Sequence, residues 1–229
     1  MPARGTYARG AKRREEILGV ALATLAERGY HATSLRGIAR TLDIDPAHIG
    51  YYFGSREGLL REVIERWDAD LHERTQGLDQ FEVLLDALRF NAGVRGIVHL
   101  YLSFAAEAAQ ETHSAHAYFI TRFEGHAART AETILEGQKQ GLVRATVDAG
   151  DAARRIIAIA DGIQMQWLLD PSLDTPALLG ATIDDLFVTG TRTRVRPASS
   201  SPPVASVDSS VNGGGAYLLR LPRRCWSSD

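Results

Sequence analysis

Between Ser34 and Phe53 two short apolar patterns are separated by almost nothing. Leu35, Ile38, Ala39 and Leu42 fall at i, i+3, i+4 and i+7, the spacing of one helix face. Asp43 and Ile44 follow as a tight connection, after which Asp45 as N-cap and Pro46 at the first helical position start a second helix. That helix runs to about Phe53 and is broken by Gly54. Ile38, Ala39, Ile44 and Ile49 are available to pack between the two, which is the frame of a helix-turn-helix. Spacing alone also fits a generic small helical hairpin.

The flanks are helical too. Ile17, Val20, Ala21 and Leu25 place one helix over 13–28, stopped by Gly29, and Thr33 or Ser34 caps the next. Ser55 caps a fourth helix in which Leu59, Leu60, Val63, Ile64 and Trp67 carry the pattern to about Arg74. Beyond Gly77 the spacing predicts helices over about 79–91, 95–109, 114–139, 151–168 and 175–189, with no strand pattern. Gly141 ends one of them, Val143 to Gly150 reads as a loop, Asp151 as the next cap, and Asp170-Pro171 as a terminator. The expected fold is therefore all-α. From Thr191 the composition turns to Ser, Pro, Gly and Arg, which cannot bury a core, so 191–229 reads as a mobile tail. The short apolar patch Tyr217 to Leu221 is the one part of it suited to docking.

Net charge is −2, but its distribution says more than its sum. Residues 1–60 hold nine basic and six acidic side chains, net +3; residues 61–190 hold 11 and 20, net −9; residues 191–229 hold six and two, net +4. A polyanion should meet the N-terminal segment and avoid the middle. Arg4, Arg9, Lys12, Arg13 and Arg14 precede the first acid, and residues 1–12 read as a basic flexible arm. No secretory signal and no apolar run of transmembrane length is found, and Cys225 is the single cysteine, so neither an internal disulfide nor a cysteine-built zinc site can form. A cytoplasmic location is expected.

The run TSLRGIARTLDIDPAHIGYYFGSREGLLREVI resembles the DNA-binding domain of TetR-type repressors. Ile38-Ala39, Asp43-Ile44, the cluster Tyr51-Tyr52-Phe53 and Ser55-Arg56 stand where that pattern has its Ile-Ala, turn, aromatic end and Ser-Lys-like start of the fourth helix; the likeness covers about residues 12–65. It implies a DNA-binding domain over 13–55 whose third helix enters the major groove. By position, Pro46, Ala47, His48 and Gly50 face the bases, while Ser34, Arg36, Tyr51, Tyr52, Ser55 and Arg56 hold phosphates. Pro46 and Gly50 depart from commoner family members, which often carry Lys and Tyr there, so hydrogen-bonded readout leans on His48. Asp43 replaces a usual turn glycine. Phe53 is expected to turn inward with Ile49.

The segment GLVRATVDAGDAARRIIAIADGIQMQWLLDP is similar to the corresponding stretch of choline-responsive BetI-type relatives, which extends the resemblance to about residue 190. It implies a helical effector-binding and dimerisation domain over 56–190. Tyr101, Phe104, His116, Phe119, Phe123, Gln164 and Trp167 are the candidates for its pocket, and Ile157, Asp161, Leu178, Thr182 and Leu186 for the dimer seam. The implied protein is a homodimeric repressor without cofactor or membrane association, released from a palindromic operator on double-stranded DNA by a small-molecule effector. Two rival readings stay open. One is a helical ligand-binding dimer without specific DNA binding, suggested by Pro46 and Gly50. The other is a helical metalloenzyme built on Glu107, Glu111, His113 and His116, which lacks the His-Glu-x-x-His pattern. No phosphate loop, nucleophile elbow or cysteine nucleophile is present, and no catalytic residue is expected.

Overall fold

The chain is described by a computed structural model over residues 4–196. Among the described residues there are nine α-helices: α1 (Arg4–Arg28), α2 (Leu35–Leu42), α3 (Pro46–Phe53), α4 (Arg56–Arg74), α5 (Gln80–Ala92), α6 (Arg95–Glu107), α7 (His116–Lys139), α8 (Ala149–Leu169) and α9 (Thr175–Asp184). The cap chemistry explains most of the boundaries. Ser34, not Thr33, caps α2, its Oγ accepting from the Gly37 amide at 3.1 Å. Thr33 is buried instead and donates to the Gly29 carbonyl. Asp45 accepts from the Ala47 amide with Pro46 at the first turn of α3, and Ser55 accepts from the Gly58 amide to start α4. Asp43 takes the left-handed conformation at φ 51°, letting the Ile44 amide close back onto the Ala39 carbonyl at 3.0 Å.

Four boundaries differ from expectation. First, α1 begins at Arg4, so most of the segment read as a flexible arm is helical: Arg, Ala and Lys are good helix formers, and no proline interrupts them. Second, α8 starts at Ala149 because Asp148, rather than Asp151, supplies the cap. Third, α9 stops at Asp184. Val143 and Phe187 form an isolated antiparallel bridge, with Arg144 donating to the Leu186 carbonyl and Val188 to the Leu142 carbonyl, which draws 186–188 out of the helix. Fourth, residues 191–196 are not loose. Val195 is 1% exposed, its amide donates to the capping Asp79, and Arg192 bonds the Gly180 carbonyl and Asp184, both at 2.9 Å. The rest of the segment read as a tail, including Tyr217 to Leu221 and Cys225, lies outside the described residues.

Two apolar cores organise the helices. The first joins Ile17, Leu25, Ile38, Ile49 and Phe53 to Leu59, Val63 and Trp67 of α4, and continues into Ile97, Leu100, Phe104, Phe119 and Trp167. The second packs Phe81, Leu85, Ile134, Ile156, Leu179, Ile183, Phe187 and Val195. At about 1.5–3 kcal/mol for each large side chain removed from water, both are substantial. The first core crosses the expected boundary near residue 55, so the helix-turn-helix shares its interior with α6, α7 and α8. Gly96 makes the closest approach possible, because a Cβ there would run into the Leu25 carbonyl of α1.

Candidate nucleic-acid interface and regulatory core

The inner face of α3 is anchored and its outer face is free. Ile49 and Phe53 are buried, as expected, while Pro46, Ala47 and His48 are exposed and Tyr51 is 83% exposed. Gly50 is half-buried, yet a Cβ there would meet nothing, so its surface is open for a close approach. Tyr52 leans half-buried onto the core, edge-on to Tyr51 at 5.3 Å. Ser34, Arg36 and Ser55 are exposed around this face; the Ser34 hydroxyl keeps its proton to donate after accepting the capping bond, whereas the Ser55 hydroxyl also bonds the Glu57 carboxylate. Arg40, which the sequence reading did not single out, is also exposed on α2 and engaged with no partner. The N-terminus of α2, with no acid in its first turn, directs a positive dipole end outward, where a phosphate is favoured; at the start of α4 the Glu57 carboxylate takes that place, bonded to its own backbone amide.

Arg56 is placed otherwise than expected. Its Nε donates to the Thr33 carbonyl at 3.0 Å, Nη2 to the Tyr30 carbonyl at 3.3 Å and Nη1 to the Tyr30 hydroxyl at 3.4 Å, with the guanidinium 4.7 Å over the Tyr30 ring. Its charge is turned into the protein, toward the connection between α1 and α2. Part of the basic α1 is likewise engaged: Arg13 pairs with Glu16, and Arg14 pairs with Glu62 at 2.5 Å while lying 5.2 Å over the Phe53 ring. Burial raises the Glu62 carboxyl above its ordinary value, opposed by Arg14.

In the second half, four of the expected pocket residues meet as an aromatic group. Phe119 lies 5.5 Å from Phe104, 6.1 Å from Tyr101 and 6.2 Å from Phe123. The Tyr101 hydroxyl reaches Asp161 at 3.5 Å, and Arg122 sits over the Tyr101 ring at 5.3 Å while its guanidinium grips both carboxylate oxygens of Asp68. Arg122 Nε and the Tyr118 hydroxyl are buried without a partner. Burial pushes Asp161 up to about 6 and the Tyr118 phenol up to about 12, and raises Tyr101 as well. Burial first, then the charges of Arg122 and Arg129, hold His126 down at about 3. Asp68, Tyr118, Arg122 and His126 were not foreseen: the last three follow one another at single-turn spacing on α7, and Asp68 joins them from α4, 54 residues before Arg122.

The other three pocket candidates are differently engaged. Gln164 accepts from Asn91, which accepts from the Trp67 indole, a polar relay tying α4, α5 and α8. Trp167 is buried beneath Arg95. His116 turns to the Ala108 carbonyl at 2.8 Å in the α6–α7 connection. A cavity of about 240 Å³ lies between the α3–α4 junction and that connection, lined by Phe53, Ser55, Glu57, Arg61, Ser114 and Ala115, and shares no residue with the expected pocket.

Of the five residues expected at the seam, the half-buried Asp161 meets Tyr101 within the chain, and Ile157 and Leu186 are half-buried against the second core. Leu178 is exposed, and the half-buried Thr182 donates its hydroxyl to the Leu178 carbonyl. The large apolar side chains left exposed on and near α8 and α9 are Ile159, Met165, Leu169, Leu178 and Val188, with Leu169 at 85%. Glu107, Glu111, His113 and His116 do not converge: Glu107 accepts from the Tyr30 hydroxyl, His113 Nδ1 from the Ala115 amide, and no group of three such side chains among the described residues is arranged to hold a metal ion. No described helix is long and apolar enough to cross a membrane.

A capped, outward-facing third helix on a three-helix unit, carried by an all-helical body, defines a helix-turn-helix DNA-binding protein with a helical regulatory half. Residues 17–63 match the family model of bacterial regulatory proteins of the tetR family, and residues 81–188 match that of the BetI-type transcriptional repressor C-terminal domain. The chain belongs to the TetR family. The HTH-type transcriptional regulator YttP of Bacillus subtilis (strain 168) is 32% identical over 54 residues, 24% of this chain and 26% of that protein, so the chain spans about a quarter of the curated relative it matches. A TetR-family regulator from a Rhodococcus species superposes with a TM-score of 0.62 at 20% identity, covering 76% of this chain and 98% of that one. A transcriptional regulator from Saccharomonospora viridis, solved in complex with choline, superposes with a TM-score of 0.62 at 24% identity over 76% and 95%.

Proposed function

We propose that the chain is a cytoplasmic, homodimeric transcriptional repressor that binds a palindromic operator and is released by a small-molecule effector. The observation that carries this is the outer face of α3: Pro46, Ala47, His48, Gly50 and Tyr51 make no contact that the fold needs, while Ile49 and Phe53 lock the helix in place. His48 is the hydrogen-bonding side chain among the four base-facing positions, and Pro46 and Ala47 offer apolar contact to thymine methyl groups. Ser34, Arg36, Arg40, Tyr51, Tyr52 and Ser55 surround it as phosphate contacts.

Dimerisation is assigned to the exposed apolar stripe of α8 and α9, with Leu178 and Thr182 retained from the seam expected and Ile159, Met165 and Leu169 added. Such a two-fold pair sets recognition helices roughly 34 Å apart, one turn of DNA. The effector is assigned to the aromatic group of Tyr101, Phe104, Phe119 and Phe123, where Asp161, Arg122 and Tyr118 supply the polar contacts that orient a ligand. The choline complex of the S. viridis regulator supports an effector site in this fold, and the buried Asp161 beside Tyr101 suits a ligand with a cationic group.

Selection of duplexes from random DNA tests the reading. The expected winners are two half-sites related by a two-fold axis, and His48→Ala should relax preference at particular positions by about 1–3 kcal/mol per base pair. Retention of all duplexes alike, with a monomer in light scattering, overturns it.

A further inference from the structure

We propose that Arg56, Tyr30 and Glu107 form a linkage through which α6 sets the pose of the helix-turn-helix, Arg56 acting as a positioning residue and not as a phosphate contact. The inference rests on the reading that α3 binds DNA. Tyr30 follows Gly29, whose positive φ of 76° ends α1, and its ring is 1% exposed. Its hydroxyl donates to Glu107 Oε2 at 2.9 Å and accepts from Arg56 Nη1, while Arg56 also fixes the carbonyls of Tyr30 and Thr33.

The positions of the three residues in the chain give these bonds their consequence. Arg56 is the first residue of α4, immediately beyond α3 and its Gly54-Ser55 break; Thr33 directly precedes Ser34, the cap of α2. One guanidinium therefore spans the two ends of the helix-turn-helix. Glu107 is the last residue of α6, whose other end meets α1 where Gly96 approaches the Leu25 carbonyl. The DNA-binding unit is thus held at both ends of α6 as well as through the core that Ile97, Leu100 and Phe104 share with it, and a displacement of the far end of α6 must either part Glu107 from Tyr30 or carry Tyr30, Arg56 and the start of α2 with it. His99 of α6 lies 6.0 Å from the Tyr30 ring and His31 5.2 Å, closing the remaining sides. Burial, the largest influence on the Tyr30 phenol, raises it above its ordinary value.

Arg56→Lys separates positioning from phosphate binding. A lysine keeps the charge but cannot make three bonds in the plane of a fork. In the full-length protein, binding to a duplex selected from random DNA should weaken about tenfold in Arg56→Lys and equally in Arg56→Ala, with the salt dependence of binding unchanged. Rescue by lysine, or a salt slope lowered by about one in Arg56→Ala, would mark Arg56 as a phosphate contact and overturn the proposal. Tyr30→Phe keeps the ring and removes the bond to Glu107, so Glu107→Ala should weaken binding in the parent and have no further effect in Tyr30→Phe; equal effects in both backgrounds also overturn it. Hydrogen exchange provides the arm that needs no DNA. Glu107→Ala, at an exposed site on α6, should speed exchange of the amides over 30–38 while leaving α8 unchanged. Unaltered exchange there overturns the linkage; accelerated exchange in a protein that binds no DNA upholds it and sinks the repressor reading alone.

Discussion

The Asp161 carboxylate lies inside the regulatory half, 3.5 Å from the Tyr101 hydroxyl, with burial raising it to about 6. A carboxyl near 3.9 when unfolded and near 6 when folded binds more protons in the native state between those values. Stability from this group is therefore present below about pH 4 and lost as pH rises through 6. Asp161→Asn, neutral throughout, should gain on the order of 1–2 kcal/mol at pH 7 and nothing at pH 4. Thermal unfolding at both values measures it; an equal change at the two sinks the assignment.

His126 works in the opposite direction. Held down at about 3 by burial and by Arg122 and Arg129, it remains neutral when folded while the unfolded chain takes up a proton below about pH 6.5. Stability present above that value falls as the medium is acidified toward the folded value. His126→Gln should flatten the loss of melting temperature between pH 6 and 4, a range where the parent declines. A parent curve reproduced by the variant would show that another group carries the acid sensitivity.

The Gly96 approach to the Leu25 carbonyl leaves no room for a methyl group. Gly96→Ala should force α1 and α6 apart and cost about 1–3 kcal/mol, the usual range for overpacking. Because the two helices connect the DNA-binding and regulatory halves, duplex affinity should fall as well. An alanine variant with parental melting temperature and affinity would contradict the packing described.

Val195 fills the second core beside Gly137 and Val143, with its amide on Asp79. Val195→Asp should lower stability by about 2–4 kcal/mol, since a buried carboxylate without a partner is added to a lost apolar contact. Truncation after Gly190, which removes Val195 and Arg192, should do the same. Calorimetry on the parent and the two variants decides it.

The N-terminal half was legible because its determinants are local. Helical spacing, the caps Ser34, Asp45 and Ser55, Pro46 at a first turn, and Asp43 at a left-handed corner each act within four residues of their partners, so the order of side chains along the chain was enough to place α2, the turn and α3. The inward turn of Ile49 and Phe53 follows from the same periodicity. The aromatic group around Phe119 was partly legible, since its members have the right character on the right helices.

What only the tertiary structure decided are the relationships between distant residues. Arg56 reads in sequence as an exposed cation at a helix start, and turns inward because Tyr30 and Thr33, more than 20 residues upstream, offer three acceptors. Asp161 reads as a seam residue, but the packing of α6 and α7 on α8 puts Tyr101 in front of it and leaves Ile159, Met165 and Leu169 facing out. Residues 191–196 have the composition of a loose tail, yet the acceptors of Asp79, Gly180 and Asp184 hold them down. Sequence by itself determined the helices and the helix-turn-helix motif, because caps and periodicity are short-range; tertiary structure decided which charges face solvent, which face the core and where the two halves join, because burial and hydrogen-bond pairing depend on neighbours remote along the chain.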